Sequence, residues 1–250
     1  MIAISVLGYG NLASHLVAAF EKVKSVNVIQ IYNRHPIKNK PFKALFTTNL
    51  SDLLPADIYI IAIPDDAISA FSLKLKTDGL VVHTSGSVPL EALQTQSRAG
   101  VFYPLQSFTK GKAVSFKNIP ICIEATDKKD LGLLYKLARS ISQSVFKITT
   151  AQRKKLHVAA VFVNNFTNYM YTIGESLCED NHIDFNILKP LILETALKIE
   201  TVSPHQAQTG PARRKDVVTI KKHLDFLPKE YQEIYTLLTQ SIQKNYDKKL

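Results

Sequence analysis

The chain begins with MIAISVLGYGNLASHLVAAFEKV, and the stretch from Ile2 to Val23 decides the fold. Its first part is an apolar segment with strand character that runs directly into Gly-Tyr-Gly-Asn-Leu-Ala at residues 8–13. Apolar side chains then recur with helical spacing at Leu12, Leu16, Ala19, Phe20 and Val23. A strand, a glycine turn and a helix in this order are typical of the first unit of a dinucleotide-binding fold.

The small residues of this turn meet the requirements of a bound pyrophosphate. Gly8 allows a tight turn that a Cβ atom would hinder, and Gly10 lets backbone N–H groups approach the phosphates. Ala13 lets the helix pack close to the strand. The free N–H groups at the positive end of the helix dipole then attract the anion. We therefore predict that Gly8, Gly10, Asn11 and Leu12 bind the pyrophosphate of a dinucleotide. A tight turn in another kind of α/β protein is the alternative.

Length and composition indicate a globular protein with one large or two modest domains. Of 250 residues, 46% are hydrophobic and 21% are charged, a balance unlike that of disordered or fibrous chains. No apolar run approaches the roughly 18 residues of a membrane span. We expect no secretion signal, because the apolar stretch at the N-terminus is the first predicted strand and lacks the basic region and cleavage site of such a signal. Cys122 and Cys178 provide neither a disulfide framework nor metal-ligand spacing. We expect a cytoplasmic protein with no membrane association and no metal site.

The net charge of +10 makes nucleic acid a partner to consider. No helix-turn-helix, zinc or RNA-binding motif accompanies the basic residues. We therefore predict a small-molecule substrate and no nucleic acid, and keep a nucleic-acid-binding protein as a third hypothesis. The basic residues are dispersed over Lys38, Lys40, Lys43, 153–155, 213–215, Lys221, Lys222, Lys248 and Lys249.

The end of the second predicted strand, residues 28–33, indicates which nucleotide binds. In NAD-binding folds an acidic residue about 20 positions past the glycines binds the ribose 2′-hydroxyl. Here the strand ends in Asn33, Arg34 follows, and Lys38 lies nearby. A carboxylate would repel a 2′-phosphate, whereas a guanidinium binds it bidentately. The sequence predicts NADP rather than NAD, with Arg34 on the 2′-phosphate beside Asn33. An exposed basic loop is the alternative.

Strand and helix patterns alternate up to about residue 150, which predicts an open, mostly parallel α/β sheet. The parallel strands 57–63 and 80–84 bring their carboxyl ends to the edge that carries the glycine turn. Pro64 and Ser85 are therefore predicted to line the cofactor cleft. Helix capping by Asp65 or Asp66 and simple turn formation explain these loops equally well. The other predicted elements are strands 44–47, 119–124 and 145–148, a strand followed by an aromatic loop over 100–108, and helices 67–75 and 128–142.

After Thr150 no strand pattern recurs, and the sequence is helical to its end. This change predicts two domains, a nucleotide-binding domain over 1–150 and a helical domain over 151–250. The apolar faces of helices 151–181 and 229–245 are larger than one helical layer beside a sheet would cover. We therefore expect a homodimer through the helical domain. The predicted helices are 151–181, 185–201 with Asp184 as its cap, 217–224 and 229–245.

The first of these helices carries the most informative polar residues. On a regular helix His157, Asn164, Asn168 and Glu175 lie within about 20° of one line, with Asn165 beside it. An imidazole and amides on a buried apolar helix need partners, which a ligand cleft supplies. His157 is therefore a candidate proton donor, and Asn164 and Asn165 are candidates for orienting a carbonyl or carboxylate. A satisfied polar network between packed helices is the alternative.

A second candidate site is the segment QTGPARRKD at residues 208–216. A Thr-Gly turn beside arginines presents backbone N–H groups and a guanidinium to an anion. Thr209 and Arg213 are therefore predicted to bind an anionic substrate. Alternatively the segment is a structural turn in which Asp216 caps the next helix and pairs with Arg213.

These segments together resemble one family. The resemblance rests on residues 8–13, 63–68 (IPDDAI), 83–87 (HTSGS), 102–108 (FYPLQSF), 157–165 and 208–212 (QTGPA). The chain resembles the Rossmann-like NADP oxidoreductases that carry a C-terminal helical domain of unknown function. They are similar in plan to pyrroline-5-carboxylate reductases and, more distantly, to β-hydroxyacid dehydrogenases. The lysine–asparagine pair of the latter is not matched, because Val158 and Ala159 stand one turn after Lys154 and Lys155.

The resemblance implies a doubly wound Rossmann α/β domain and an all-α C-terminal domain of the 6-phosphogluconate dehydrogenase type that commonly dimerises, with a cleft between them. It does not imply a substrate. The leading hypothesis is an NADP-dependent oxidoreductase that transfers hydride between NADP(H) and a C=O or C=N bond of a small anionic substrate. An NADP-binding sensor or scaffold protein without turnover is the alternative hypothesis.

Overall fold

A computed structural model describes residues 1–37 and 42–247 of the chain. Lys38 and Lys40, and the C-terminal pair Lys248 and Lys249, lie outside the described residues. The chain divides into two compact units, Met1–Asn165, here called the sheet unit, and Phe166–Leu250, here called the helical unit. The functional division into residues 1–150 and 151–250 stays a prediction.

The sheet unit is built on one sheet whose strand order is β3-β2-β1-β4-β5-β6-β7-β8. Neighbouring strands are parallel except for β6 and β7, which are antiparallel. The order reverses between β1 and β4, the switch point at which doubly wound sheets bind ligands. The predicted fold class is confirmed. The strands are β1 (Ile2–Leu7), β2 (Val26–Tyr32), β3 (Leu45–Thr47), β4 (Ile58–Ile61), β5 (Leu80–His83), β6 (Ala99–Pro104), β7 (Ile121–Ala125) and β8 (Val145–Lys147).

The central strands are apolar because both faces of the sheet are covered. Every residue of β4 (IYII) and β5 (LVVH) is buried, as expected of parallel strands enclosed on both sides. Successive side chains point to opposite faces of a strand. Ile58 and Ile60 accordingly join one core cluster, which Phe20 also joins, whereas Tyr59 and Ile61 join a second.

The helices of the sheet unit differ from prediction mainly around α2. Helix α1 (Asn11–Phe20) begins directly after Gly10, and α3 (Lys128–Arg139) is capped by Asp127. Helix α2 covers only Ile68–Ser72 and follows a 3₁₀ turn over Asp65–Ala67. The predicted capping by Asp65 or Asp66 is wrong, since neither side chain bonds to the helix start among the described residues, and Asp65 instead accepts a hydrogen bond from the Ser87 hydroxyl.

The predicted helix over residues 151–181 is confirmed, with one interruption. It consists of α4 (Thr150–Ala160), a π-helical segment (Val161–Phe166) and α5 (Thr167–Asp180). A π-helix has i→i+5 hydrogen bonds, so the 100° spacing does not hold across this segment. The predicted alignment of His157 with Asn164, Asn168 and Glu175 is therefore wrong. The expected burial of the polar side chains on this helix is also wrong, because Asn164 and Asn165 are exposed.

The helical unit buries little of its apolar surface within its own chain. Cys178 and Ala212 are its buried apolar residues in the described part of the chain, whereas Phe226 is 87% exposed. Asp184 and Asp216 cap the elements that follow them, as predicted. In residues 1–37 and 42–247 we find no helix that combines the length and apolarity needed to cross a lipid bilayer. The remaining helices are α6 (Lys189–Lys198), α7 (Pro204–Ala207), α8 (Pro211–Arg214), α9 (Val217–Phe226) and α10 (Lys229–Asp247).

Candidate functional site

A cavity of about 940 Å³ lies in the sheet unit, next to the residues that follow β1, β2, β4 and β5. This is the edge at which the sheet reverses its strand order. Every residue predicted to bind the cofactor lines it: Gly8, Gly10, Asn11, Leu12, Asn33, Arg34, Pro64 and Ser85.

The two glycines of the turn serve different purposes. Gly8 has φ +108°, and a Cβ atom there would lie 2.4 Å from the carbonyl oxygen of Ala62, so only glycine fits against the end of β4. A Cβ atom on Gly10 would meet no heavy atom within 4 Å. The space beside Gly10 is therefore open to a ligand.

The start of α1 suits an anion. Its N-cap is Gly10, which offers no side-chain cap, and its first turn contains no acidic residue. The first N–H groups of a helix have no partner within the helix and carry its positive dipole end. Because no side chain among the described residues caps this end of α1, these N–H groups are suited to hold a phosphate.

The residues after β2 make this part of the cavity cationic. The Asn33 side-chain amide donates to the carbonyl of His35 over 2.8 Å and fixes the turn. Arg34 and His35 are exposed, and with Lys74 they line the cavity. No acidic residue occurs between positions 33 and 37. This arrangement lacks the carboxylate that would receive a ribose 2′-hydroxyl.

The loop after β5 lines the cavity through Ser85 and forms a hydrogen bond to the loop after β4. The Ser85 hydroxyl accepts hydrogen bonds from the backbone N–H groups of Ser87 (3.1 Å) and Val88 (3.0 Å). The Ser87 hydroxyl donates to the carboxylate of Asp65, in the loop after β4. Ser85 therefore lines the cavity and also forms a turn, and its role in binding a cofactor stays a prediction.

His157 lies against this loop. Its Nδ1 atom is 3.2 Å from the hydroxyl oxygen of Tyr103, at the end of β6. The two side chains pack on Gly86, where a Cβ atom would lie 2.5 Å from His157 Nδ1 and 2.8 Å from Tyr103 Cζ. Because Gly86 directly follows Ser85, which lines the cavity, His157 lies beside the end of this cavity.

Arg153, one turn before His157 on α4, is fully buried. Its guanidinium donates to the carbonyl oxygens of Ser85 (3.0 Å) and Val88 (2.6 Å) and to Glu124 Oε2 (3.3 Å). A buried charge is tolerated when it is paired and hydrogen-bonded in this way. Arg153 therefore holds the helix that carries His157 against the loop that carries Ser85.

Tyr103, Gly86, Glu124 and the role of Arg153 were not predicted from the sequence. Arg153 was considered only as one of several dispersed basic residues. The i, i+4 spacing of Arg153 and His157 places both on one helix face. This spacing was the sequence signal that could have linked Arg153 to the candidate site. Nothing in the local sequence pattern indicated Tyr103 as a partner of His157.

Three titratable side chains near Ser85 and Tyr103 are held in their neutral forms. Burial, and then the positive charge of Arg153, lowers the pKa of His83 to about 4. Burial raises the pKa of Cys122 to about 11 and raises the pKa of Tyr103 above its ordinary value. At neutral pH the imidazole of His83, the thiol and the phenol are therefore uncharged.

Asn164 and Asn165 lie in the π-helical segment, with exposed side chains that make no hydrogen bond among the described residues. They are not brought together with His157 by any hydrogen bond. In the described part of the chain no group of three or more His, Cys, Asp or Glu side chains is arranged to hold a metal ion.

The second candidate segment forms a basic depression in the helical unit. A cavity of about 630 Å³ is lined by Gln208, Thr209, Gly210, Arg213, Arg214 and Lys215. The Arg213 guanidinium lies 4.2 Å from the ring centroid of Tyr246. Asp216 accepts a hydrogen bond from the N–H of Thr219 (3.0 Å) and caps α9. Its predicted pairing with Arg213 is wrong, because the two described side chains form no ion pair and Arg213 packs on Tyr246 instead.

Comparison with known proteins places the chain among proteins of this plan. The model of the Domain of unknown function (DUF2520) matches residues 119–242. Among solved structures, the chain is similar to a "putative NADP oxidoreductase" from Bacteroides fragilis, with 37% identity, a TM-score of 0.89, and coverage of 97% of this chain and 98% of that chain. A search of curated proteins gave no match.

Two more distant structures share the fold. One is a 1-pyrroline-5-carboxylate reductase from Streptococcus pyogenes, with 13% identity, a TM-score of 0.66, and coverage of 97% of this chain and 98% of that chain. The other is a pyrroline carboxylate reductase from Plasmodium falciparum with NADP bound, with 12% identity, a TM-score of 0.58, and coverage of 98% and 97%. At such identities the likeness shows the fold alone.

Proposed function

The chain belongs to the family of Rossmann-like oxidoreductases represented by the Bacteroides fragilis protein, and on this premise we propose that it is an NADP-dependent oxidoreductase acting on a C=O or C=N bond of a small anionic substrate. The observation that carries the proposal is the cavity at the switch point of the sheet, with its glycine turn and the uncapped start of α1. These features meet the needs of a pyrophosphate.

NADP is proposed over NAD because of the residues after β2. Arg34 is exposed at the cavity, and no acidic residue stands at positions 33–37. A guanidinium binds a 2′-phosphate through two parallel hydrogen bonds, and His35 and Lys74 add donors in the same cavity.

The cofactor and the residues of the chain have separate proposed roles in the reaction. When bound, NADPH supplies the hydride. His157 is proposed to donate a proton or a hydrogen bond to the substrate atom that gains negative charge. Its location beside Ser85 and Gly86, at the end of the nucleotide cavity, supports this role.

Four further residues are proposed to position the substrate. The amides of Asn164 and Asn165 are exposed and make no hydrogen bond within the described chain, so they are available to a carbonyl or carboxylate. Thr209 and Arg213 line the basic depression of the helical unit, where cationic side chains favour an anionic group.

A homodimer through the helical unit is proposed from its unburied apolar surface. Leu191 of α6 is 62% exposed, Val217 of α9 is 70% exposed and Phe226 is 87% exposed. Apolar surface on this scale marks an interface with another protein surface. We propose that a second copy of the chain covers this surface. We also propose that the dimer is cytoplasmic and has no nucleic-acid partner.

The proposal is tested by calorimetric titration of the protein with NADPH and NADH separately. We expect NADPH to bind at least tenfold more tightly, because the charge-assisted contacts of Arg34 exist only with the 2′-phosphate. Arg34→Ala should remove most of this preference. Lys128→Ala removes the same charge from an exposed position on α3 outside the cavity and should leave it unchanged.

The outcomes separate the hypotheses. Failure of either nucleotide to bind at millimolar concentration would refute the proposal. Equal affinity for the two nucleotides would refute the preference for NADP. If NADPH binds tightly but is not oxidised with any of a broad panel of keto acids, aldehydes and imines, the protein is a sensor or scaffold instead.

A further inference from the structure

The contact between β6 and α4 points to a positioning role for Tyr103: we infer that its hydroxyl donates a hydrogen bond to Nδ1 of His157 and so keeps the imidazole proton on Nε2. His157 then presents one fixed N–H donor to a ligand. That Nε2–H serves the substrate rests on the proposed function. The position of the proton itself does not.

The distance and the chemistry of the two groups support this assignment. The Tyr103 hydroxyl oxygen lies 3.2 Å from His157 Nδ1, with the two ring planes at 69°. A neutral imidazole has one nitrogen that donates and one that accepts. If Nδ1 accepts the phenolic hydrogen, the ring proton must be on Nε2.

Tyr103 has reason to act as the donor. Among the described residues its hydroxyl has no hydrogen-bond partner except His157. A phenol that donated elsewhere would need another acceptor, and the half-buried side chain finds none in the described chain. Burial also raises the pKa of Tyr103, so its hydroxyl keeps its hydrogen throughout the neutral range.

The charges that face the pair do not reverse this preference. Arg153 on α4, Cys122 on β7 and Asp65 after β4 all act on Tyr103. The positive charge of Arg153 favours the phenolate, but Glu124 binds the same guanidinium and offsets that charge. The thiol of Cys122 is neutral at this pH, because burial raises its pKa to about 11.

Gly86 keeps the two rings in this arrangement. The backbone of Gly86 occupies the space beside both rings, since a Cβ atom there would lie 2.5 Å from His157 Nδ1 and 2.8 Å from Tyr103 Cζ. The imidazole therefore cannot move toward the loop to find another partner for Nδ1. Among the described residues Tyr103 is the partner that remains for Nδ1. Its role is to position His157, and it does not line the nucleotide cavity.

NMR of the full chain labelled with ¹⁵N-histidine tests the position of the proton, because a protonated and an unprotonated ring nitrogen give well-separated ¹⁵N shifts. At a pH where the ring is neutral, we expect His157 to carry its proton on Nε2. His157→Gln identifies its signals by their loss. In Tyr103→Phe, the two ¹⁵N shifts should move toward each other, since exchange between the tautomers is no longer blocked.

Two results would overturn the inference: a wild-type spectrum with the proton on Nδ1, or a Tyr103→Phe spectrum identical to that of the wild type. Tyr135→Phe removes a hydroxyl from an exposed tyrosine on α3 and should leave the His157 signals in place. If Tyr103→Phe does not fold, the wild-type spectrum alone still decides which nitrogen of His157 carries the proton, because it reports the protonated nitrogen directly.

Turnover measurements keep this inference separate from the proposed function. NMR needs neither nucleotide nor substrate, so absence of turnover would refute the proposed function and leave the tautomer assignment intact. Where turnover is found, Tyr103→Phe should lower kcat about tenfold, the effect of one hydrogen bond, with the KM for NADPH unchanged. An altered tautomer with an unchanged kcat would refute the role of Nε2–H toward the substrate.

Discussion

The sheet unit and the helical unit differ in how much of their structure one chain completes. In the sheet unit the central strands are buried on both faces, and even the charge of Arg153 is enclosed with partners from the same unit. In the helical unit Cys178 and Ala212 are the buried apolar residues of the described chain, and Leu191 and Phe226 are exposed. The proposed nucleotide site therefore needs residues of the sheet unit alone, whereas the proposed dimer would cover the exposed apolar surface of the helical unit.

The largest expected effect concerns His157 in the sheet unit. His157→Ala should lower turnover by about 10²–10⁴-fold, the usual loss when a general acid or positioned donor is removed. The affinity for NADPH should remain, because His157 does not line the nucleotide cavity. Steady-state kinetics and calorimetry on the same preparation check both parts. Unchanged turnover would remove His157 from the mechanism.

The second effect is a pH dependence of stability that arises from His83. Burial, and then Arg153, lowers its pKa to about 4 from an ordinary value of 6.5, so the unfolded chain binds this proton more readily than the folded chain. Stability is then complete above pH 6.5 and falls as the pH decreases toward 4, by up to about 3 kcal/mol. Urea unfolding across this range measures the slope.

His83→Asn provides the control for this slope. It removes the titrating group, and the loss of stability between pH 6.5 and 4 should become smaller by the same amount. A variant that keeps the full slope would show that another group is responsible. The residue belongs to β5 of the sheet unit, so the result also tests how tightly that unit excludes water from its core.

The third effect separates folding from nucleotide binding within the glycine turn. Gly8→Ala should destabilise the protein by about 2 kcal/mol, because Gly8 has φ +108° and no space for a Cβ atom. Gly10→Ala should leave stability nearly unchanged, since its Cβ atom meets nothing, but should weaken NADPH binding. If Gly10→Ala keeps full affinity, the phosphates do not approach this residue.

The smallest effect tests the incompleteness of the helical unit. Leu191→Asp places a charge on an exposed apolar position of α6 and should weaken self-association about tenfold in sedimentation experiments. NADPH affinity should not change, because the nucleotide cavity is lined by residues of the sheet unit only. Ala196→Asp, at an exposed position on another face of the same helix, adds the same single negative charge and is the control. A wild-type protein that sediments as a monomer would contradict the proposed dimer.

Much of the sheet unit could be predicted because its signals are local. The apolar runs of β1, β4 and β5 and the glycine turn depend on neighbouring residues, and all the residues predicted to bind the cofactor line one cavity. Prediction did less well on the long helix. The π-helical segment at Val161–Phe166 shifts the register, and no residue pattern used for a regular helix indicates it.

The sequence by itself determined the order of strands and helices, the glycine turn and the cationic residues after β2, since periodicity, backbone conformation and charge are properties of short stretches. Only the tertiary structure decided that Tyr103 contacts His157, 54 positions away, and that Arg153 binds the carbonyl of Ser85, 68 positions away. Such contacts depend on the sheet order and on how α4 packs against the loop after β5. Those are outcomes of the whole sheet unit and of no single segment in it.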